Sequence, residues 1–158
     1  MGADLFLTAT SKLQALNAVA GLIVLNDGRY VMQLRDAVPN IFYPDHWGCF
    51  GGAVDDVENP LQALRRELRE ELEFEINEAN EFIRFDFDLT TLGQGKVFRI
   101  YYELSVSLES FSRFVLHEGV LVKAFTAREI LTQQRMTPYD AYAIWLHARR
   151  SRFQSGDS

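Results

Sequence analysis

The chain has 158 residues and a formal net charge of −6, with 47% of its residues apolar and 24% charged, ordinary proportions for a globular fold. That acidity excludes a general binder of nucleic acid or of an anionic membrane, because no broad basic face can be assembled. A single cysteine, Cys49, excludes an intrachain disulfide and a cysteine-ligated metal.

No apolar run approaches a membrane span and no charged-then-apolar leader opens the chain. The expectation is a cytoplasmic protein forming one domain over residues 1–158, with an N-terminal arm at 1–10 and a flexible tail at 151–158. "ALNAVAGLIVL", from Ala15 to Leu25, reads as a buried strand. Asn26-Asp27-Gly28 is a hairpin turn that returns the chain through "RYVMQLR". "DAVPNIFYPDHWG" is a long loop with two prolines and several aromatics, a kind that usually carries function. "WGCFGGAV" is a short strand ending in glycines.

A helix follows from Pro60 with Asn59 as its cap, and Leu61, Leu64, Leu68 and Leu72 recur on its apolar side. "EFIRFDFDL" and "KVFRIYYELSVS" alternate as strands around the turn "TTLGQG". "VLVKAF" is a last strand, followed by a short helix near Ala127–Gln133. "TPYDAYAIWLHARR" closes the fold as a helix begun by Thr137 and Pro138 and ended by Arg149 and Arg150, which complement its dipole. The fold class is therefore α+β, a mixed β-sheet with helices on both faces.

The helix at Pro60 has a charge pattern that needs a cause. Glu67, Glu70 and Glu71 fall within about 100° of one another on one edge. The Glu67/Glu71 pair alone is an i,i+4 repulsion of roughly 0.2–0.5 kcal/mol. A hard divalent cation such as Mg²⁺ takes oxygen ligands of this kind, and Gly51 and Gly52 let backbone approach it and offer a carbonyl. A solvated face laced by pairs such as Arg66–Glu70 explains the same glutamates, and they alone do not separate the two readings.

The complete spacing does separate them. Five residues after Gly52 stands Glu58, and seven more bring Arg66 and Glu67; Leu68, Arg69, Glu70, Glu71, Leu72, Glu73 and Phe74 follow. This stretch resembles the Nudix box, G-x5-E-x7-R-E-U-x-E-E-x-G-U with U a bulky aliphatic residue. Glu73 stands where that pattern has its second glycine, and Phe74 where it has its last aliphatic. A left-handed residue commonly ends a helix at such a place. Keeping that conformation with Glu73 costs on the order of 1 kcal/mol, so a small stability cost or a different helix end is expected.

The resemblance implies a Nudix-like α/β/α sandwich and a Mg²⁺-dependent pyrophosphohydrolase, with Mn²⁺ as a substitute ion. It implies cleavage of a nucleoside diphosphate linked to another moiety, by water attack at phosphorus. The substrate is then a nucleoside triphosphate, oxidised ones included, or a nucleotide sugar. Glu67, Glu70, Glu71 and the Gly51 carbonyl are the implied metal ligands, and one glutamate, Glu67 in the commonest assignment, orients or deprotonates the water. Arg66 and Glu58 would pair to hold loop and helix in register. Glu118 resembles a further glutamate that the family brings from a late loop; otherwise it is a surface turn residue. Arg35 resembles a phosphate-contacting arginine; otherwise it pairs with Asp36 or another acid. A homodimer is implied by resemblance alone.

A base or other group needs a pocket, for which Phe42, Tyr43 and Trp47 from the long loop and Phe85, Phe98 and Tyr101 from the strands are candidates, Tyr43 and Trp47 first. Most strand aromatics are core. These side chains do not distinguish purine from pyrimidine. A non-catalytic nucleotide-sensing module of the same fold is the alternative, which the intact glutamates disfavour. A prenyl-diphosphate isomerase would need a well-placed cysteine nucleophile, and RNA decapping a basic extension. His46, His117 and His147 lack zinc-site spacing, and "LGQGK" is a hairpin turn, not a phosphate loop.

Overall fold

The computed structural model describes residues 12–38, 40–132 and 135–153; the arm expected at 1–10 and the tail beyond 153 lie outside the described residues. Strand β1 (Ala18–Leu25) turns through Gly28 into β2 (Tyr30–Leu34), the turn closed by Gly28 N–H to the Leu25 carbonyl at 2.9 Å. After the long loop come two short strands where one was expected, β3 (Trp47–Gly48) and β4 (Phe50–Ala53). Helix α1 (Pro60–Leu72), strands β5 (Asn80–Asp88) and β6 (Lys96–Val106), and β7 (Leu121–Phe125) follow, with a short helix α2 (Leu108–Ser112) between the last two. Helix α3 (Ala127–Thr132) and helix α4 (Pro138–Ala148) complete the order. No described helix is long and apolar enough to cross a membrane.

β1 is the hub of the seven-stranded mixed sheet. Along one edge it runs parallel to β6, Ala18–Leu25 opposite Arg99–Val106. Along the other it meets β2 only at Val24–Tyr30, then pairs antiparallel with β4 from Gly21 to Ala18. β2 pairs with β3 at Gln33–Gly48 and Leu34–Trp47, and its far edge is taken by β7. β1 and β2 thus diverge, and the chain from Trp47 to Ala53 fills the opening. The break at Cys49 lets it switch partners.

Each face of the sheet has its own core. On one, Ala63, Leu64, Leu68 and Leu72 of α1 are fully buried against Val19, Ile23, Phe50 and Leu104. On the other, Ala143 and Ile144 of α4 and Ile130 of α3 pack on Ala20, Leu22 and Met32. Burying each α1 leucine contributes roughly 1.5–3 kcal/mol, enough to fix which edge of the helix faces the sheet and which carries the glutamates.

The α1 start follows the sequence. Asn59 Oδ1 accepts Gln62 N–H and Gln62 Oε1 accepts Asn59 N–H, both at 2.9 Å, a reciprocal capping box. Its end keeps the left-handed residue without glycine: Glu73 has φ 53° and ψ 35°, and its N–H donates to the Arg69 carbonyl at 3.0 Å. At α4 the expectation needs correction in detail. Thr137 is the residue before the helix, but its hydroxyl donates to Asp140 Oδ2 at 2.6 Å and caps no backbone N–H. Arg150 does serve the helix end, donating to the His147 carbonyl at 2.7 Å. Helix α2 was not foreseen; Ser107 caps it by accepting Ser110 N–H.

The left-handed Glu73 supplies a direct stability test. Its ion pair with His117, 3.3 Å long with both side chains about half exposed, is worth little. Glu73→Gly is expected to stabilise the fold by about 1 kcal/mol, raising Tm by roughly 2–4 °C in thermal unfolding. An unchanged or lower Tm would show that the conformation carries no cost here.

Candidate active site

Helix α1 presents its glutamates where β1 and β2 diverge. Two glycines of β4 make the close approach possible. A Cβ on Gly52 would stand 2.4 Å from Glu67 Oε1, and a Cβ on Gly51, whose φ is +150°, would stand 2.1 Å from the Val19 carbonyl oxygen. The Gly51 N–H donates to Glu71 Oε2 at 3.1 Å. Helix and strand are therefore joined through a carboxylate where a side chain at Gly52 would displace Glu67 and one at Gly51 would strike β1.

The loop after α2 adds a third acid. His117 N–H donates to the Glu71 carbonyl at 2.9 Å and Val120 N–H to the Leu34 carbonyl at 2.8 Å. Glu118 is thereby suspended between the end of α1 and β2. Carboxylate oxygens of Glu67, Glu71 and Glu118 lie within 4.8 Å of one another. Glu70, expected beside them, lies outside this group: its side chain is 59% exposed and is bound by Arg66 Nη1 at 3.3 Å.

Arg66 organises the acidic edge. It donates from Nη2 to Glu58 Oε1 at 2.6 Å and to the Ala53 carbonyl at 3.0 Å, and from Nη1 to Glu67 Oε1 at 2.9 Å. Loop, strand and helix meet on one guanidinium. Its bond holds the Glu58 carboxyl below the usual carboxylate range, helped by the Asp55 N–H. Glu67 is shifted the other way, by burial first, and Arg66 only partly opposes this. Glu71, 3% exposed, is pushed up to about 9, by burial first and then by the charges of Glu118 and Glu67. Burial opposes the ionisation of Glu67 and Glu71, and their oxygens together with that of Glu118 form a donor set suited to a hard divalent cation.

The acids line one end of a cavity of about 510 Å³. Arg35, Phe42 and Phe98 line it too. Tyr43, Trp47 and Phe85 are not among its lining residues. Tyr43 rests against His46 and Tyr139, Trp47 stands in β3 edge-on to Phe125, and Phe85 stacks on Tyr142. Tyr101 is fully buried. Arg35 makes no ion pair with Asp36; its Nε donates to the Phe42 carbonyl at 3.0 Å. His46 donates from Nδ1 to the Pro44 carbonyl, and buried His147 is held by Tyr30 and Glu103, so both are structural.

One cluster in the cavity wall was not foreseen. Arg99 donates to Tyr101 Oη and to Asp140 Oδ1, and Asp140, 1% exposed, also accepts from Thr137, Tyr101 and the Cys49 N–H. The strand alternation carried a signal for it. Val97, Arg99, Tyr101 and Glu103 share one face of β6, so a charged residue was pointed at the core side.

Known proteins resemble the chain in sequence and in fold. The NUDIX domain family model matches residues 15–144. The nucleoside triphosphatase NudI of Klebsiella pneumoniae (strain 342) is 42% identical over 50 residues, 32% of this chain and 35% of that protein, so the match spans about a third of the relative's length. The MutT protein of Methanosarcina mazei Go1 superposes with a TM-score of 0.72 at 19% identity, covering 90% of this chain and 99% of that one. The NUDIX domain of Shewanella oneidensis NrtR, crystallised with ADP ribose, gives 0.65 at 16% identity, covering 93% of each chain.

Burial of Glu71 fixes a pH dependence. With the carboxyl raised from 4.5 to about 9, the folded protein keeps a proton that the unfolded chain releases. Stability from this group therefore falls as pH rises from about 4.5 through about 9. In chelator, wild-type Tm is expected to decline relative to Glu71→Gln over that window. Parallel Tm profiles would refute the burial-driven shift.

Proposed function

The chain belongs to the NUDIX domain family, and we propose that it is a divalent-metal-dependent pyrophosphohydrolase that cleaves a nucleoside diphosphate linked to another moiety by water attack at phosphorus. The observation that carries this reading is the convergence of Glu67, Glu71 and Glu118 at one end of a cavity roomy enough for a nucleotide. A bound Mg²⁺ or Mn²⁺ would neutralise the diphosphate and lower the pKa of a water. Glu71, Glu118 and the Gly51 carbonyl are the groups proposed to hold it, with Glu70 in reserve at the exposed edge.

The chain's own residues then have distinct tasks. Glu67, the one of the three clustered acids bound by the Arg66 guanidinium, stays more readily ionised than Glu71 and is the better candidate to orient the water and accept its proton instead of holding the metal. Arg66 and Glu58 hold the loop before α1 against the helix. Arg35, with its Nη groups engaged by no acid among the described residues, is placed to receive a phosphate oxygen. The substrate class extends to nucleoside triphosphates and nucleotide sugars; NudI is named as a nucleoside triphosphatase and the NrtR domain binds ADP ribose. A cytoplasmic homodimer without nucleic-acid or membrane partners belongs to the same proposal, and light scattering on the purified protein reads the oligomeric state.

A panel of nucleoside triphosphates and nucleotide sugars with Mg²⁺ tests the reading. Wild type should release nucleotide and lose turnover in chelator. Glu71→Gln and Glu67→Gln should each lower kcat by roughly 10²–10⁴, whereas Glu70→Gln should lower it far less because Glu70 stands outside the cluster. Equal turnover in wild type and Glu71→Gln would remove the metal assignment. Tight nucleotide binding with no turnover on any substrate would favour the sensing module.

A further inference from the structure

Across the cavity from the glutamates, Arg99 forms part of the wall and takes no part in the chemistry above. It is opposite Ala18 on β1, which in turn is opposite Ala53 on β4. It therefore stands two strand spacings, about 10 Å, from the strand that carries Gly51. Arg99 cannot swing freely. Its Nη2 donates to Asp140 Oδ1 at 3.1 Å, its Nε to Tyr101 Oη at 2.9 Å, and its guanidinium lies 4.6 Å from the centre of the Tyr139 ring. Asp140 is itself fixed by Thr137 Oγ1 at 2.6 Å, Tyr101 Oη at 2.6 Å and Cys49 N–H at 2.9 Å.

Among the described residues, Arg99 Nη1 has no protein acceptor. A rigid donor thus borders the cavity, and its positive charge is already balanced by Asp140. An anion gains little from a charge so neutralised, while a neutral carbonyl oxygen can take the hydrogen bond at full strength. Tyr139 lies against it, and Leu16, Phe42 and Val97 line the same cavity, apolar walls that suit a flat ring. Resting on the hydrolase reading of the site, we infer that Arg99 is a specificity-determining residue that donates from Nη1 to an oxo group of the substrate's nucleobase.

A base with an exocyclic amino group there would set donor against donor and leave both unpaired in a desolvated place. Rejection of about 10–100-fold is the scale set by a buried donor left without its acceptor. Uracil over cytosine and hypoxanthine over adenine are the near-isosteric pairs that isolate the effect.

Calorimetric binding of UMP, CMP, IMP and AMP in Mg²⁺ buffer, where no anhydride is present to cleave, tests the inference alongside kcat/KM for the corresponding triphosphates. Wild type should bind UMP and IMP roughly 10–100-fold tighter than CMP and AMP. Arg99→Met should erase the preference. Because that variant strips Asp140 of its counter-charge and can fail to fold, Arg99→Lys, which keeps the charge and loses the planar fork, is measured beside it with circular dichroism and should show a reduced preference. Equal binding of the paired bases by wild type, no binding of any of the four, or a preference undiminished in Arg99→Lys would overturn the inference. Turnover without base preference would sink this inference alone; base preference without turnover would sink the hydrolase reading and leave this one standing.

Discussion

Everything at this site follows from one unfavourable act: carboxylates of like charge are brought together at the edge of a dry core. Glu71 gives up nearly all of its hydration, and Glu118 and Glu67 stand close enough to resist its ionisation. Left alone, such a group would disperse. It is kept together by forces gathered elsewhere, chiefly the buried leucines that flank the acids on the same helix. The helix cannot rotate its acids into water without exposing Leu64, Leu68 and Leu72. Arg66 relieves part of the repulsion and, by binding Glu58 and the Ala53 carbonyl as well, ties the loop and β4 to the same helix turn.

Glu71 lines the cavity and Asp140 stands behind its Arg99 wall, two buried acids whose situations contrast. Asp140 accepts hydrogen bonds from a hydroxyl, a phenol, a backbone amide and a guanidinium. Its charge is fully answered by the protein, and it acts as a rigid anchor. Glu71 has one backbone N–H and two acidic neighbours. A satisfied buried charge specifies structure, whereas an unsatisfied one stores affinity for whatever can answer it.

Much of this was legible in the residues. The α1 stripe of leucines, the Asn59 cap and the Gly28 turn each follow from local rules, and the structure agrees with them closely. The Arg66–Glu58 pair followed from the resemblance. What escaped was set by distant partners. Glu70 shares its helix edge with Glu67 and Glu71, and periodicity cannot say that Arg66 turns it outward; Glu118, some fifty positions on, was expected from the resemblance alone. The aromatics divide for a similar reason, Phe42 and Phe98 lining the cavity and the others not. Tyr43, Trp47 and Phe85 were chosen by residue type and position in sequence, but each is consumed by another ring nearby. Asp140 lay hidden because the Thr-Pro-Tyr-Asp run also reads as an ordinary helix start.

The departure at Glu73 shows how the two halves of the site depend on each other. A glycine at the end of α1 would secure the left-handed turn by itself. Here the turn is closed with a glutamate by Glu73 N–H to Arg69 and Phe74 N–H to Leu68, and the last carbonyls of the helix are also taken by the chain that follows α2: Val115 N–H donates to Leu72 and His117 N–H to Glu71. These last two bonds set the position of Glu118, one residue further on. The helix end is thus also held by long-range backbone pairing, and that pairing delivers the third carboxylate. Loosening the loop would release both at once, so the outer hold on the helix end and the placement of Glu118 are consequences of a single docking event, and the variation in the sequence pattern falls where the tertiary structure can absorb it.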